Sequence, residues 1–228
     1  MTRSTAITIG QKGRLVQTIV QQGRATHDQI EAGRMTEAPR HLTAAELEAG
    51  LDGIRRSPAD GGALTLIVRR PAVGEREVVR TAELSVTEGL VGDTWRARAS
   101  SRRKDGSPHP DMQLNIMNSR VIALVAPDES RWPLAGDQLF LDVDLSVANL
   151  PAGTRLSLGS AVIEVTAEPH SGCAKFVARF GLDAMQFVNS ATGRELCLRG
   201  INAKVVRAGT VRVGDRARRI DHVADTPS

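Results

Sequence analysis

From Ala63 to Ile220 the apolar residues recur largely at every second position, in short runs that end at glycine or proline. This period-two pattern constrains the fold more than any other feature, because such a run exposes one face and buries the other as a strand. The expected strands are 63–69 and 77–84 (parted by Pro71 and Gly74), 113–118, 136–145, and the pair 155–158 and 161–165 around Gly159-Ser160. A closing meander follows at 201–207, 210–213 and 216–220, with turns at Gly209 and Gly214-Asp215. Glycine beside a small polar residue between two alternating runs is a two-residue hairpin signal. Many short strands with frequent turns argue for a mainly β chain, a β-barrel with peripheral helices. Short helices are expected at 120–126 and 182–190, where Met185 and Val188 share a side and read as core. Residues 94–111 form a polar loop long enough to be a rim or lid, and His109 lies in it.

The first 40 residues lack a sustained period and are broken by Gly10, Gly13, Gly23 and Gly33, so they read as an unstructured tail or an upstream extension, with Met35 an alternative start. Asp28, Glu31 and Glu37 fit a targeting peptide poorly. Residues 41–58 carry the clearest local signal. Thr43 and Glu46 make a capping box, with Leu42 and Leu47 as its staple. Leu47, Leu51 and Ile54 give one apolar face, Arg55-Arg56 suit the C-terminal turn, and Pro58 stops the helix. The barrel domain is then expected over 59–221.

Aromatic residues make up 3% of the 228, with no tyrosine, so Leu, Val and Ile must supply the packing. The net charge of +4 comes mainly from dispersed arginine, since Lys12, Lys104, Lys175 and Lys204 are the only lysines. A nucleic-acid partner calls for a concentrated basic face with aromatic platforms, and Arg102-Arg103-Lys104 reads better as a solvated loop. Arginine also receives phosphate well, so some of these side chains are candidates for a cofactor clamp. No apolar run approaches the roughly 20 residues that span a bilayer, and no secretory h-region opens the chain; a cytoplasmic protein without a membrane partner is expected. Cys173 and Cys197 are too few for a disulfide framework; reduced thiols are the simpler reading, with a Cys173–Cys197 bridge the alternative. Asp142 and Asp144 share a strand face, but without a third oxygen ligand they read as solvated.

The stretch that carries chemistry runs from Val162 to Gly181. A strand is stopped by Pro169, Ser171-Gly172 turn the chain, and Cys173 opens a helix expected over 174–180 and closed by Gly181. A thiol at a helix N-terminus feels the positive end of the peptide dipoles, and His170 and Lys175 add to that; both favour the thiolate, which attacks sulfur or binds a soft metal. A buried, merely packing cysteine is the competing reading. His170 and Cys173 supply only two of the four ligands a closed zinc site needs.

In order along the chain, Gly92-Asp93, Val147-Ala148-Asn149-Leu150, Gly153 to Gly159, Ile163 to Thr166, the proline-to-cysteine segment and Val205 to Asp215 resemble the MOSC domain. That family is named after the C-terminal region of molybdenum-cofactor sulfurase, and the resemblance covers roughly 58–220. It implies a MOSC-type β-barrel whose cysteine, here Cys173, is a sulfur carrier or a thiolate ligand to molybdenum in a bound pterin (the molybdenum cofactor, molybdopterin). A thiolate suits either task. The pterin phosphate would be received by arginine forks and backbone N–H groups, for which Arg199 and Arg207 are the candidates, with His170 and Lys175 beside the thiol. Asn149 matches the asparagine of the family's Glu-Asn-Leu segment, as a cofactor contact or a loop brace. Ala148 stands in place of the family's glutamate, and His170 and Gly172 in place of the arginine and proline often found before the cysteine. Pyridoxal phosphate is not expected, since the domain that binds it in full-length sulfurases is separate and large. The implied activity is reduction of N-oxygenated compounds, with an external electron donor, or transfer of persulfide sulfur from a donor. A non-catalytic binding or scaffold barrel with a structural cysteine is the rival from another class.

Overall fold

The computed structural model describes residues 40–98 and 103–220. Residues 1–39 of the expected tail 1–40, residues 99–102 and the last eight residues lie outside the described residues. The strands are β1 Gly62–Arg69, β2 Glu77–Val79, β3 Thr81–Ser85, β4 Gly89–Leu90, β5 Leu114–Asn118, β6 Leu139–Leu141, β7 Arg155–Leu158, β8 Ala161–Val165, β9 Ile201–Arg207, β10 Gly209–Arg212 and β11 Arg216–Ile220. The helices are α1 Ala44–Ala49, α2 Leu51–Arg55, α3 Ser119–Val125, α4 Ala174–Phe180, α5 Leu182–Asn189 and α6 Ala191–Glu195.

Seven strands close on themselves in the order β1-β11-β7-β8-β9-β5-β6, with β6 returning to β1. Closure removes the open edges that a flat sheet would leave to aggregate. All neighbours are antiparallel except β5 and β6, which run parallel. A parallel pair cannot be joined by a tight turn, so α3 and a 3-10 helix, Glu129–Ala135, carry the chain over. The mainly β barrel with peripheral helices that the strand pattern implies is the observed fold.

Strand alternation divides the apolar side chains between two cores. Ile67, Ile116, Leu139 and Leu141 join the barrel interior. Val68, Met117 and Phe140, their immediate neighbours, face outward under the helices and meet Leu47, Phe176, Phe180 and Phe187. The scarce aromatic residues are thus spent on the helix-to-barrel layer. Phe176 and Phe180 pack in a tilted arrangement with ring centroids 4.8 Å apart.

The capping box forms as expected: Thr43 accepts from the Glu46 amide, and Glu46 accepts from the Thr43 amide at 2.9 Å. Gly50 splits that helix into α1 and α2. Three further expectations need correction. The run 77–84 breaks at Arg80, so β2 joins the barrel sheet while β3 pairs with β10 and β4 in a separate small sheet. The run 136–145 is a strand only at Leu139–Leu141. Beyond it Asp142 is held by Arg120 at 2.6 Å and Asp144 receives the Ser146 amide at 2.9 Å, which gives each a structural partner. No group of three metal-ligating side chains occurs among the described residues, and no helix among them is long and apolar enough to cross a membrane.

Candidate functional site

Cys173 is placed by β8, the turn after it and α4. The chain leaves the barrel at Val165, and Asn189 pins the turn by accepting from the Gly172 amide at 2.9 Å and donating to its carbonyl at 3.2 Å. Cys173 then takes the N-cap position of α4 in extended conformation; its side chain makes no capping bond and is exposed. Hydrophobic burial of Phe176 and Phe180 anchors the helix behind it. The cysteine therefore stands on a rigid element with its sulfur outward, as sites on loops between fixed elements do. Both thiols are free, so the Cys173–Cys197 bridge is not formed.

The thiol opens onto a cleft of about 580 Å³ lined by five arginines, Arg70, Arg76, Arg98, Arg179 and Arg199, together with Lys175 and His170. Two of these arginines form its floor, and each is paired with a buried carboxylate. Arg70, only 5% exposed, grips the buried Asp93 through Nε at 2.7 Å and Nη2 at 2.8 Å, and its Nη1 reaches the Gly136 carbonyl at 2.8 Å and Asn115 at 3.1 Å. Arg199 holds both oxygens of Asp137 from Nη1, at 3.0 and 2.8 Å, and its Nη2 reaches the Ala135 carbonyl at 3.1 Å. Its guanidinium also lies 5.1 Å from the Phe176 ring centre, a cation–π contact. Burial pushes the Asp137 carboxyl up, and Arg199 pulls it back towards the charged form. His170 Nδ1 lies 3.5 Å from the same carboxylate.

The other three arginines have no carboxylate of their own. Arg76 donates to the Glu75 carbonyl and Arg179 to the Leu134 carbonyl, both neutral acceptors. Arg98 reaches no closer than 3.8 Å to Asp93, which Arg70 already occupies. Burial, then the charges of Arg179 and Arg70, hold the Arg76 guanidinium below the usual arginine range; burial and Arg70 do the same to Arg98. The buried Nε of Arg76 lacks a hydrogen-bond partner. Arg76 and Arg179 converge over Gly136, whose φ of 90° suits glycine; a Cβ there would sit 3.7 Å from Arg179 Nη1 and 3.8 Å from Arg76 Nη2. Positive charge that outnumbers the nearby carboxylates and is partly withdrawn from water suits an anion.

Of the residues singled out in the sequence, Cys173, His170, Lys175 and Arg199 come together here. Asn149 and Arg207 do not. Asn149 donates to the Ala59 carbonyl at 2.8 Å and the Asp144 carbonyl at 2.7 Å, which ties the loop after β6 to the segment before β1. Arg207 ends β9 opposite Val162, exposed and apart from the cleft lining. Sequence reasoning missed Arg70, Arg76, Arg98, Arg179 and Asp137. They come from separate loops and one helix, so no spacing links them. A faint signal was Asp93, which lay in a recognised motif and turns out to anchor Arg70.

The fold and this cleft define a class: a closed mixed barrel that presents a cysteine beside an arginine-rich hollow. The MOSC domain family model matches residues 134–218, so the resemblance read from the sequence is borne out over that stretch. It contains β6 to β10, Cys173, Asp137, Arg179 and Arg199, whereas Arg70, Arg76 and Arg98 precede it. Among solved structures, YiiM from Escherichia coli aligns with 22% identity and a TM-score of 0.46, over 72% of this chain and 72% of that one. YuaD from Bacillus subtilis aligns with 17% identity and a TM-score of 0.48, over 68% of this chain and 93% of that one. A search of curated proteins returned no match.

Proposed function

We propose that the protein holds the molybdenum cofactor in the arginine cleft, with Cys173 as its thiolate ligand. The supporting observation is the coincidence in one hollow of an exposed thiol and three arginines with no carboxylate of their own, Arg98 coming only within 3.8 Å of the Asp93 that Arg70 already occupies. The donor set fits the group. A phosphate on the pterin would satisfy Arg76, Arg98 and Arg179, which otherwise repel one another, and Lys175 adds a mobile point charge. A thiolate from Cys173 is a soft ligand of the kind molybdenum accepts. Bound there, the group would supply a redox centre able to take oxygen from N-oxygenated compounds, with electrons from an external donor. The chain's own part is to bind the anion, to orient His170 through Asp137, and to keep the floor arginines fixed. The exposure of Cys173 also favours a second reading, a persulfide carrier that uses the same thiol without metal.

The cofactor reading is tested by expression in a host that makes the pterin, followed by oxidation and pterin fluorescence. Wild-type protein is expected to yield pterin, and an R76A/R179A double variant at least tenfold less. Equal pterin in both, or none in the wild type, contradicts the proposal. A persulfide on Cys173 in the intact mass, without molybdenum, would select the second reading.

A further inference from the structure

A second cleft, of about 700 Å³, lies against the same 168–172 segment and shares only His170 and Arg199 with the first. Its character is opposite. Val147, Leu150, Pro151, Val165, Val188 and Ile201 are among the residues of its wall, which is mostly apolar. The polar groups among them are already used by the protein. Asn189 is bound to Gly172 on both sides, Thr166 donates to the Asp111 carbonyl at 2.6 Å, and Asn202 accepts from Asn115 at 2.6 Å and donates to the Glu168 carbonyl at 3.1 Å. A hydrogen-bonding ligand therefore finds few partners along this wall, whereas an apolar body finds contact throughout.

Two cations break that rule. Arg194 stands exposed at the cleft, donates to the Asn189 carbonyl, and has no carboxylate within ion-pair distance among the described residues. Arg199 is nine-tenths buried, and its Nε has no hydrogen-bond partner although its other nitrogens are committed. Leaving a buried donor without an acceptor is unfavourable, so its persistence in a cleft wall points to a ligand. Arg199 and His170 line both hollows and so stand between the basic cleft and the apolar one.

We infer that this apolar cleft seats the substrate: a mainly apolar organic molecule with one anionic or strongly accepting group, turned towards Arg199 and His170. The inference rests on the cofactor reading of the neighbouring cleft, because it takes Cys173 and the arginines to be occupied by something the substrate must approach. Cys197 lines the apolar cleft, and its thiol is held above the usual range by burial and by the Asp144 carboxylate, so it serves as neutral wall.

The test titrates the full chain, purified with its pterin, with 1-naphthoate and follows backbone amide NMR shifts. Shifts are expected at Val147, Val165 and Ile201, with those of Val73 and Ala178 in the basic cleft unmoved. An A152W variant, in which an exposed alanine of the cleft lining is enlarged, is expected to bind naphthoate at least tenfold more weakly while retaining pterin. V147D should do the same by charge repulsion and desolvation, with pterin again retained. Naphthoate shifts centred on the basic cleft, or affinity unchanged in both variants, overturn the inference while the cofactor site stands. Naphthoate bound at Val165 and Ile201 by a protein that retains no pterin overturns the substrate role and, separately, the cofactor reading.

Discussion

The arginines of the basic cleft fall into two groups that teach different things about charge. Arg70 and Arg199, on the floor, are each locked to a fully buried aspartate and to backbone carbonyls. Arg76, Arg98 and Arg179, around them, hold no carboxylate of their own and crowd one another. The first group pays for its desolvation with ion pairs and fixes where β1, the loop before β6 and β9 meet. The second keeps its charge available to something outside the chain.

Substitution should separate the groups. Arg70→Ala removes the two-pronged partner of the buried Asp93 carboxylate, leaving it Arg98 at 3.8 Å and backbone amides, and is expected to cost about 3–5 kcal/mol in urea unfolding. Arg76→Ala removes no ion pair and should leave stability within about 0.5 kcal/mol. Equal losses from the two would erase the distinction between floor and rim. The cysteines sharpen the same contrast. Cys173 is exposed in the basic cleft, whereas burial and Asp144 keep the Cys197 thiol protonated well above neutrality. Alkylation at neutral pH, read by mass spectrometry on the cofactor-free protein, should label Cys173 at least tenfold faster, because the thiolate is the reactive form. Only at strongly alkaline pH should Cys197 catch up. Similar rates near neutrality would favour the barrel with a merely structural cysteine. The smallest effect is expected at Asn149. Its amide braces two carbonyls outside the cleft, so Asn149→Ala should cost about 1 kcal/mol of stability. Pterin content, measured on the same preparation, should not change.

What could be read from sequence was what neighbours in the chain decide. The capping box at Thr43 and Glu46, the hairpin at Gly159-Ser160 and the N-cap position of Cys173 each depend on a few consecutive residues, and each formed. Arg80 shows the limit. Nothing near it announces that the chain changes sheets there, because β3 is claimed by β10, far along the chain. The site divides in the same way. Cys173, His170 and Lys175 lie within one turn and were visible together. Arg76 and Arg179 are brought over Gly136 only by the closed barrel and the packing of α4. Asn149 shows a related limit: its motif position left open a cofactor contact or a loop brace, and its hydrogen bonds supply the brace.

The most direct check on the whole account is molybdenum per protein molecule, by elemental analysis, in wild type and in Cys173→Ala purified side by side from a pterin-producing host. Near-stoichiometric metal in the wild type and a loss of at least tenfold in the variant is the expected result. Full occupancy in Cys173→Ala, with the fold intact, would contradict it.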